Sequence, residues 1–187
     1  MPVFRNVIDF IPRGQRGFFD SAFWIREHQP KSLSWRTVEK IRERWRKTLV
    51  LKGILHLDDV RRAKDAGVDV IVLGSHGGRQ LDWTVAALDL LPGAREIAGD
   101  RYPLFITGGI RRGTDLLKAI ALGADAVLAG RAPLYGVCAG GAAGAARALE
   151  ILRTEAFDAM GLLGANSVDE LGAHFLAAVT SAPSSRP

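Results

Sequence analysis

Four short apolar runs recur through the middle of the chain: TLVLKG (48–53), VDVIVLG (68–74), YPLFITGG (102–109) and ADAVLAGR (124–131). Each is too short for a buried helix and lacks regular apolar–polar alternation, which predicts strands covered on both faces. Between them, LDDVRRAKDAG (57–67), TVAALDLLPGAREIA (84–98) and TDLLKAIALG (114–123) place apolar residues at helical spacing. Upstream, WRTVEKIRERW (35–45) reads as a helix with Ser34 at its N-cap. Downstream, LYGVCAGGAAGAARALEILRTEAF (134–157) reads as a helix with a loose start of small residues. Residues 1–31, punctuated by Pro12, Gly14, Gly17 and Pro30, read as loop with one short helix.

Strands that alternate with helices predict a parallel sheet, α/β in class, with helices covering it. A shift of 56 residues superposes Asp59 on Asp115, Ala63 on Ala119, Gly67 on Gly123, Asp69 on Asp125 and Gly74 on Gly130. A repeat of paired βα units favours a TIM (β/α) barrel over an open doubly wound sheet. A complete barrel has eight strands in about 250 residues. Four parallel strands alternating with helices therefore predict the C-terminal half of a barrel. The expected organisation is a basic loop and lead-in helix over 1–47, a half-barrel over 48–178 and a disordered tail over 179–187.

Composition narrows the setting. Of 187 residues, 48% are hydrophobic and 24% charged, a balance suited to a globular domain with a real core. The single cysteine, Cys138, excludes an intramolecular disulfide framework and a cysteine-cluster metal site; no metal is expected, and a reducing, cytoplasmic compartment fits. No run of about 18 apolar residues marks a membrane span. Charge is uneven: the net is +5, yet residues 1–52 hold 12 Lys/Arg against 5 Asp/Glu. Such an arm suits an acidic membrane surface, and equally a solvated helix face. A peripheral contact with the inner face of the membrane is an expectation; nucleic-acid binding is not.

Candidate chemistry lies at the carboxyl ends of the strands, where parallel α/β folds gather functional groups. Those ends carry Lys52, then Gly74-Ser75-His76 with Arg79 beyond, then Thr107-Gly108-Gly109, then Gly130-Arg131. Glycine-rich turns leading into helices expose backbone N–H groups, and arginine adds a forked donor, so Gly109, Arg111, Gly130 and Arg131 suit a phosphate.

The succession LVLKG, SHGGRQLD, GGIRRGTD, LGADAVLAGRAPLYG resembles the FMN-dependent α-hydroxy acid dehydrogenase and oxidase family, which includes L-lactate and mandelate dehydrogenases and glycolate oxidase. The likeness covers about residues 48–175. It implies a (β/α)8 barrel with FMN at the carboxyl ends of its strands, oxidising a small L-2-hydroxy acid to the 2-oxo acid. It further implies Lys52 beside the flavin, His76 as the base and Arg79 as the clamp on the substrate carboxylate. Arg111, Gly130 and Arg131 become phosphate ligands, with Gly74, Thr107 and Gly109 also against the cofactor.

Two departures stand out. Where the family has Ser-Asn-His-Gly, this chain has Gly74-Ser75-His76-Gly77, and the family's acidic residue before Gly-Gly is Thr107. The first four strands of the family, with the aspartate that orients the histidine, have no counterpart here. Two functional outcomes follow: an active site completed by other sequence, or a truncated, catalytically idle half-barrel that at most binds flavin or phosphate. Open sheet edges also predict association, as a homo-oligomer or with a complementing chain.

Overall fold

The computed structural model describes residues 33–177, together with Pro12, Gly14, Phe23, Trp24, Glu27 and His28. The chain forms two compact units, residues 1–37 and 38–187. In the first, the Trp24 and His28 rings stack with centroids 3.9 Å apart, and His28 Nδ1 lies 2.8 Å from the Trp24 carbonyl. The remainder of the loop expected over 1–31, and the tail expected over 179–187, fall outside the described residues.

Helix α1 (Trp35–Arg44) precedes the first strand. Ser34 sits before it as expected, but its hydroxyl meets Thr37 Oγ1 at 3.5 Å rather than a backbone N–H. The Thr37 N–H bonds the Ser34 carbonyl instead, at 2.8 Å. Then β1 (Val50–Ile54), α2 (Leu57–Asp65), β2 (Val70–Leu73), α3 (Ala87–Ala98), β3 (Leu104–Thr107), α4 (Gly113–Ala121), β4 (Ala126–Leu128) and α5 (Arg131–Leu163) follow. The four strands lie side by side in sequence order, every neighbour parallel. Helix α5 is broken at Gly140–Gly141, where the backbone leaves helical geometry, so the small-residue start read from the sequence is a separate segment.

Parallel register puts aligned residues on one face. Ile71, Leu73, Leu104 and Ile106 share the face covered by helices, and all four are fully buried. Complete burial stabilises each by roughly 1.5–3 kcal/mol relative to an exposed side chain. The opposite face carries Lys52, Val72, Phe105 and Ala126 in one row, and Thr107 beside Leu128 in the next. Val72 is buried there, whereas Val50 and Leu128 on the two outer strands are exposed.

The 56-residue repeat has a physical counterpart at the amino ends of the strands. Arg42 from α1 donates to the Gly67, Trp45 and Lys47 carbonyls and to Asp69 Oδ2, the last at 2.8 Å. Arg95 from α3 donates to the Gly123, Gly99 and Tyr102 carbonyls and to Asp125 Oδ2, the last at 2.6 Å. The two aspartates in turn accept the Leu49 and Leu104 N–H groups, each at 2.7 Å. Because Asp69 and Asp125 serve these clamps, β2 and β4 begin after them, later than the apolar runs suggest. The Leu49 N–H and the Arg42 guanidinium hold the Asp69 carboxyl below its ordinary value.

Candidate functional site

At the opposite end of the sheet, β1 pairs with β2 through Lys52 and Val72, then slips so that Ile54 partners Leu73. Gly53 is the extra residue of this bulge, a device that bends a strand and re-aims the adjacent side chain. Lys52 Nζ consequently lies 3.3 Å from His76 Nδ1. His76 opens a single 3-10 turn, His76–Gly78, and has a φ of 54°, a left-handed conformation that non-glycine residues adopt sparingly. With the lysine ammonium donating, Nδ1 is the acceptor and a neutral ring carries its proton on Nε2. Among the described residues no carboxylate bonds to His76.

Arg131, the first residue of α5, comes over the same turn. One of its terminal nitrogens lies 4.0 Å from where a side chain on Gly77 would begin. A cleft of about 420 Å³ gathers Ser75, Gly77, Thr107, Gly109, Asp115 and Arg131 between the ends of β2, β3 and β4. Lys52, Gly74, His76, Arg79, Arg111 and Gly130 are not in its lining. Arg79, Arg111 and Arg131 are all exposed, and among the described residues none of the three guanidinium groups makes a hydrogen bond or ion pair.

The loop before α4 corrects one sequence expectation. Its Arg111 and Arg112 N–H groups both bond Asp115 Oδ2, at 3.0 Å each, and the Gly113 N–H bonds Glu155 Oε2 at 2.8 Å. Glu155 also pairs with the Arg112 guanidinium at 2.8 Å. These contacts hold the Glu155 carboxyl below its ordinary value, the Gly113 N–H first and Arg112 second. The Arg111, Arg112 and Gly113 N–H groups are therefore occupied by the protein's own carboxylates. Glu155 reaches this loop because α5 runs against α4 without a gap: a Cβ on Gly113 would stand 2.2 Å from the Ala156 nitrogen.

The two departures noted in the sequence meet in space. A Cβ on Gly74 would stand 2.5 Å from Thr107 Cγ2 and 2.9 Å from the Thr107 carbonyl, so the threonine occupies the room that a side chain at 74 would need. The Thr107 hydroxyl donates to the Leu128 carbonyl at 3.0 Å, leaving only its oxygen lone pairs for anything in the cleft.

The residues of the cleft fit FMN. A phosphate monoester is matched by unpaired arginines, and 420 Å³ falls within the usual span of small-molecule sites, about 300–1,000 Å³. Comparisons with known proteins agree. Residues 9–178 match the family described as FMN-dependent dehydrogenase. The FMN-dependent alpha-hydroxy acid dehydrogenase qulF of Penicillium citrinum is 41% identical over 78% of this chain and 36% of its own length. The L-lactate dehydrogenase of Caulobacter sp. (strain K31) is 38% identical over 86% of this chain and 42% of its own. Pre-mycofactocin synthase of Mycobacterium tuberculosis is 44% identical, over 85% and 40%. Among solved structures, the monotopic membrane protein (S)-mandelate dehydrogenase superposes with a TM-score of 0.83 at 32% identity, covering 90% of this chain and 45% of that one. No helix among the described residues is long and apolar enough to cross a membrane. The four-stranded unit is thus part of the TIM barrel of these relatives, and the chain spans less than half of their length. This chain belongs to the FMN-dependent α-hydroxy acid dehydrogenase family.

Proposed function

We propose that this chain supplies the phosphate-binding and carboxylate-binding half of an active site that oxidises a small L-2-hydroxy acid. The observation that carries this reading is Lys52 bonded to His76, with three arginines that have no partner among the described residues, Arg79, Arg111 and Arg131, following the carboxyl ends of the same parallel strands. On this reading Arg111 and Arg131 hold the phosphate, with Gly109 and Gly130 letting it approach the backbone; the exposed, partnerless guanidinium groups support it. Thr107 lines the cofactor site, and Gly74 packs behind it without a side chain. Arg79 offers the planar fork that grips a carboxylate through two bonds. Bound FMN supplies a two-electron acceptor. Lys52 brings positive charge to that region, and His76 takes the substrate proton once its ring is released from Lys52.

A second reading is favoured by one observation. His76 bonds Lys52 and no carboxylate, and a histidine base without an orienting carboxylate loses both alignment and stabilisation of its charged form. On this reading the half-barrel binds FMN and does not turn over. One experiment separates the two. The purified chain is loaded with FMN and exposed anaerobically to L-lactate or mandelate. Bleaching of the flavin absorbance supports the oxidising site, with His76→Ala expected to bind FMN yet stay oxidised. Binding without bleaching supports the idle half-barrel, and a folded chain that binds no FMN contradicts both.

A further inference from the structure

We infer that the two outer edges of the sheet are complementary, and that a second copy of this chain closes them into an eight-stranded barrel. The repeat sets this complementarity. The Asp69 and Asp125 clamps make α1–β1–α2–β2 and α3–β3–α4–β4 two versions of one unit. Their junction, β2 against β3, is therefore a worked example of how the end of one unit receives the start of the next. Among the described residues the outer edges are the same two surfaces left apart: β4 is the end of the second unit and β1 the start of the first.

The register transfers residue by residue. Across the internal junction Val72 partners Phe105, and Val72 is 2% exposed. The clamps equate β2 with β4 and β3 with β1, so Leu128 stands for Val72 and Val50 for Phe105. Leu128 and Val50 are 40% and 50% exposed, apolar side chains on edge strands whose images inside the chain face each other. Large apolar side chains on unpaired sheet edges favour edge-to-edge association unless covered. Polar contacts carry over as well. The Ile71 N–H donates to the Pro103 carbonyl at 3.1 Å, which maps onto Val127 and Thr48 of the second copy. The Tyr102 hydroxyl donates to the Val68 carbonyl, which maps onto Lys47 and the Ala124 carbonyl. In one place the image changes chemistry. Lys64 reaches the Ile97 and Ala98 carbonyls at 2.8 Å each, and its counterpart is Ile120. Ile120 would meet the end of α1, where Trp45 is 48% exposed, exchanging hydrogen bonds for apolar contact.

A two-fold axis along the barrel axis uses both edges of both copies at once, keeps all strands parallel and closes the assembly. It sets both copies of His76 at one mouth.

The test uses the full 187-residue chain with Cys138→Ser as background, carrying either Val50→Cys or Leu128→Cys, and a short bifunctional thiol cross-linker. A dimer of twice 20.2 kDa by light scattering is expected. Covalent dimer is expected only when the two variants are mixed, because residue 50 faces residue 128 and never itself. Leu128→Asp is expected to halve the mass while leaving the far-ultraviolet circular dichroism unchanged. A monodisperse monomer overturns the inference and leaves the edges to the additional sequence that the relatives possess. So does a dimer that cross-links 50 to 50 or 128 to 128, or one that the mixed variants fail to cross-link.

Discussion

The two ends of this sheet treat the same residue types in opposite ways. At the amino ends of the strands, Arg42 and Arg95 are each locked to one aspartate and three carbonyls. At the carboxyl ends, Arg79, Arg111 and Arg131 have no partner among the described residues. An arginine whose donors are satisfied inside the protein stabilises the fold, while one whose donors face an open cleft is available to an anion. The difference predicts which substitutions should damage stability and which should damage ligand binding.

Arg95→Ala is expected to have the largest effect on folding. The Arg95 side chain is 15% exposed, and its removal takes its donors away from three carbonyls and from the Asp125 carboxylate, which keeps only the Leu104 N–H. Losing hydrogen bonds of this charged kind costs about 1.5–3 kcal/mol, read as a lower urea midpoint, with FMN affinity of the folded fraction unchanged. Equal loss of affinity would erase the contrast between the two ends. Arg131→Ala should do the reverse. A hydrogen bond to a charged group is worth about 1.5–3 kcal/mol, so the FMN dissociation constant should rise roughly tenfold to a hundredfold while the ligand-free urea midpoint stays put.

Gly74→Ser sharpens the comparison within the cleft. The new Cβ meets Thr107, and overpacking of this kind costs about 1–3 kcal/mol. Thr107→Ser removes the Cγ2 methyl and should recover part of that loss, although the Thr107 carbonyl still crowds the site. Strict additivity in the double-mutant cycle would show that the two positions do not share one space.

The smallest effect concerns pH and again belongs to the amino ends. Burial, with the nearby Asp69 carboxylate adding to it, raises the Tyr102 phenol to about 12 from 10.0. A raised value means that the stability it contributes is complete below pH 10.0 and is lost as pH climbs toward about 12. Tyr102→Phe should flatten that alkaline loss in urea titrations, at the expense of about 1 kcal/mol near neutrality from the missing bond to Val68. Asp69 acts in the opposite direction. Its depressed value contributes stability above its ordinary 3.8 and forfeits it as pH falls below.

How much of this could be read from the chain depended on whether the signal was local. The four strands were legible because apolar runs of that length have few alternatives. Lys52, His76, Arg79 and Arg131 were legible because strand ends can be located once the strands are. The aspartates of the clamps appeared in the 56-residue repeat, but their arginines did not. Arg42 and Arg95 are 53 residues apart, because Arg42 stands seven positions before Leu49 and Arg95 nine before Leu104, so a fixed shift of 56 misses them. Glu155 was also invisible, because its target at Gly113 lies 42 residues away and only the packing of α5 on α4 joins them. That same contact takes the Gly113 N–H, a donor that the sequence alone leaves looking open.

The central claim is that the unpaired arginines at the carboxyl ends of the strands bind the phosphate of FMN. It is tested most directly by titrating the purified chain with FMN and following flavin fluorescence, in the presence and absence of inorganic phosphate. The expected result is saturable binding of one FMN per chain, weakened by phosphate and by Arg131→Ala but not by Arg95→Ala once folded protein is counted. A folded chain that shows no saturable binding, or binding indifferent to both phosphate and Arg131, would contradict the account.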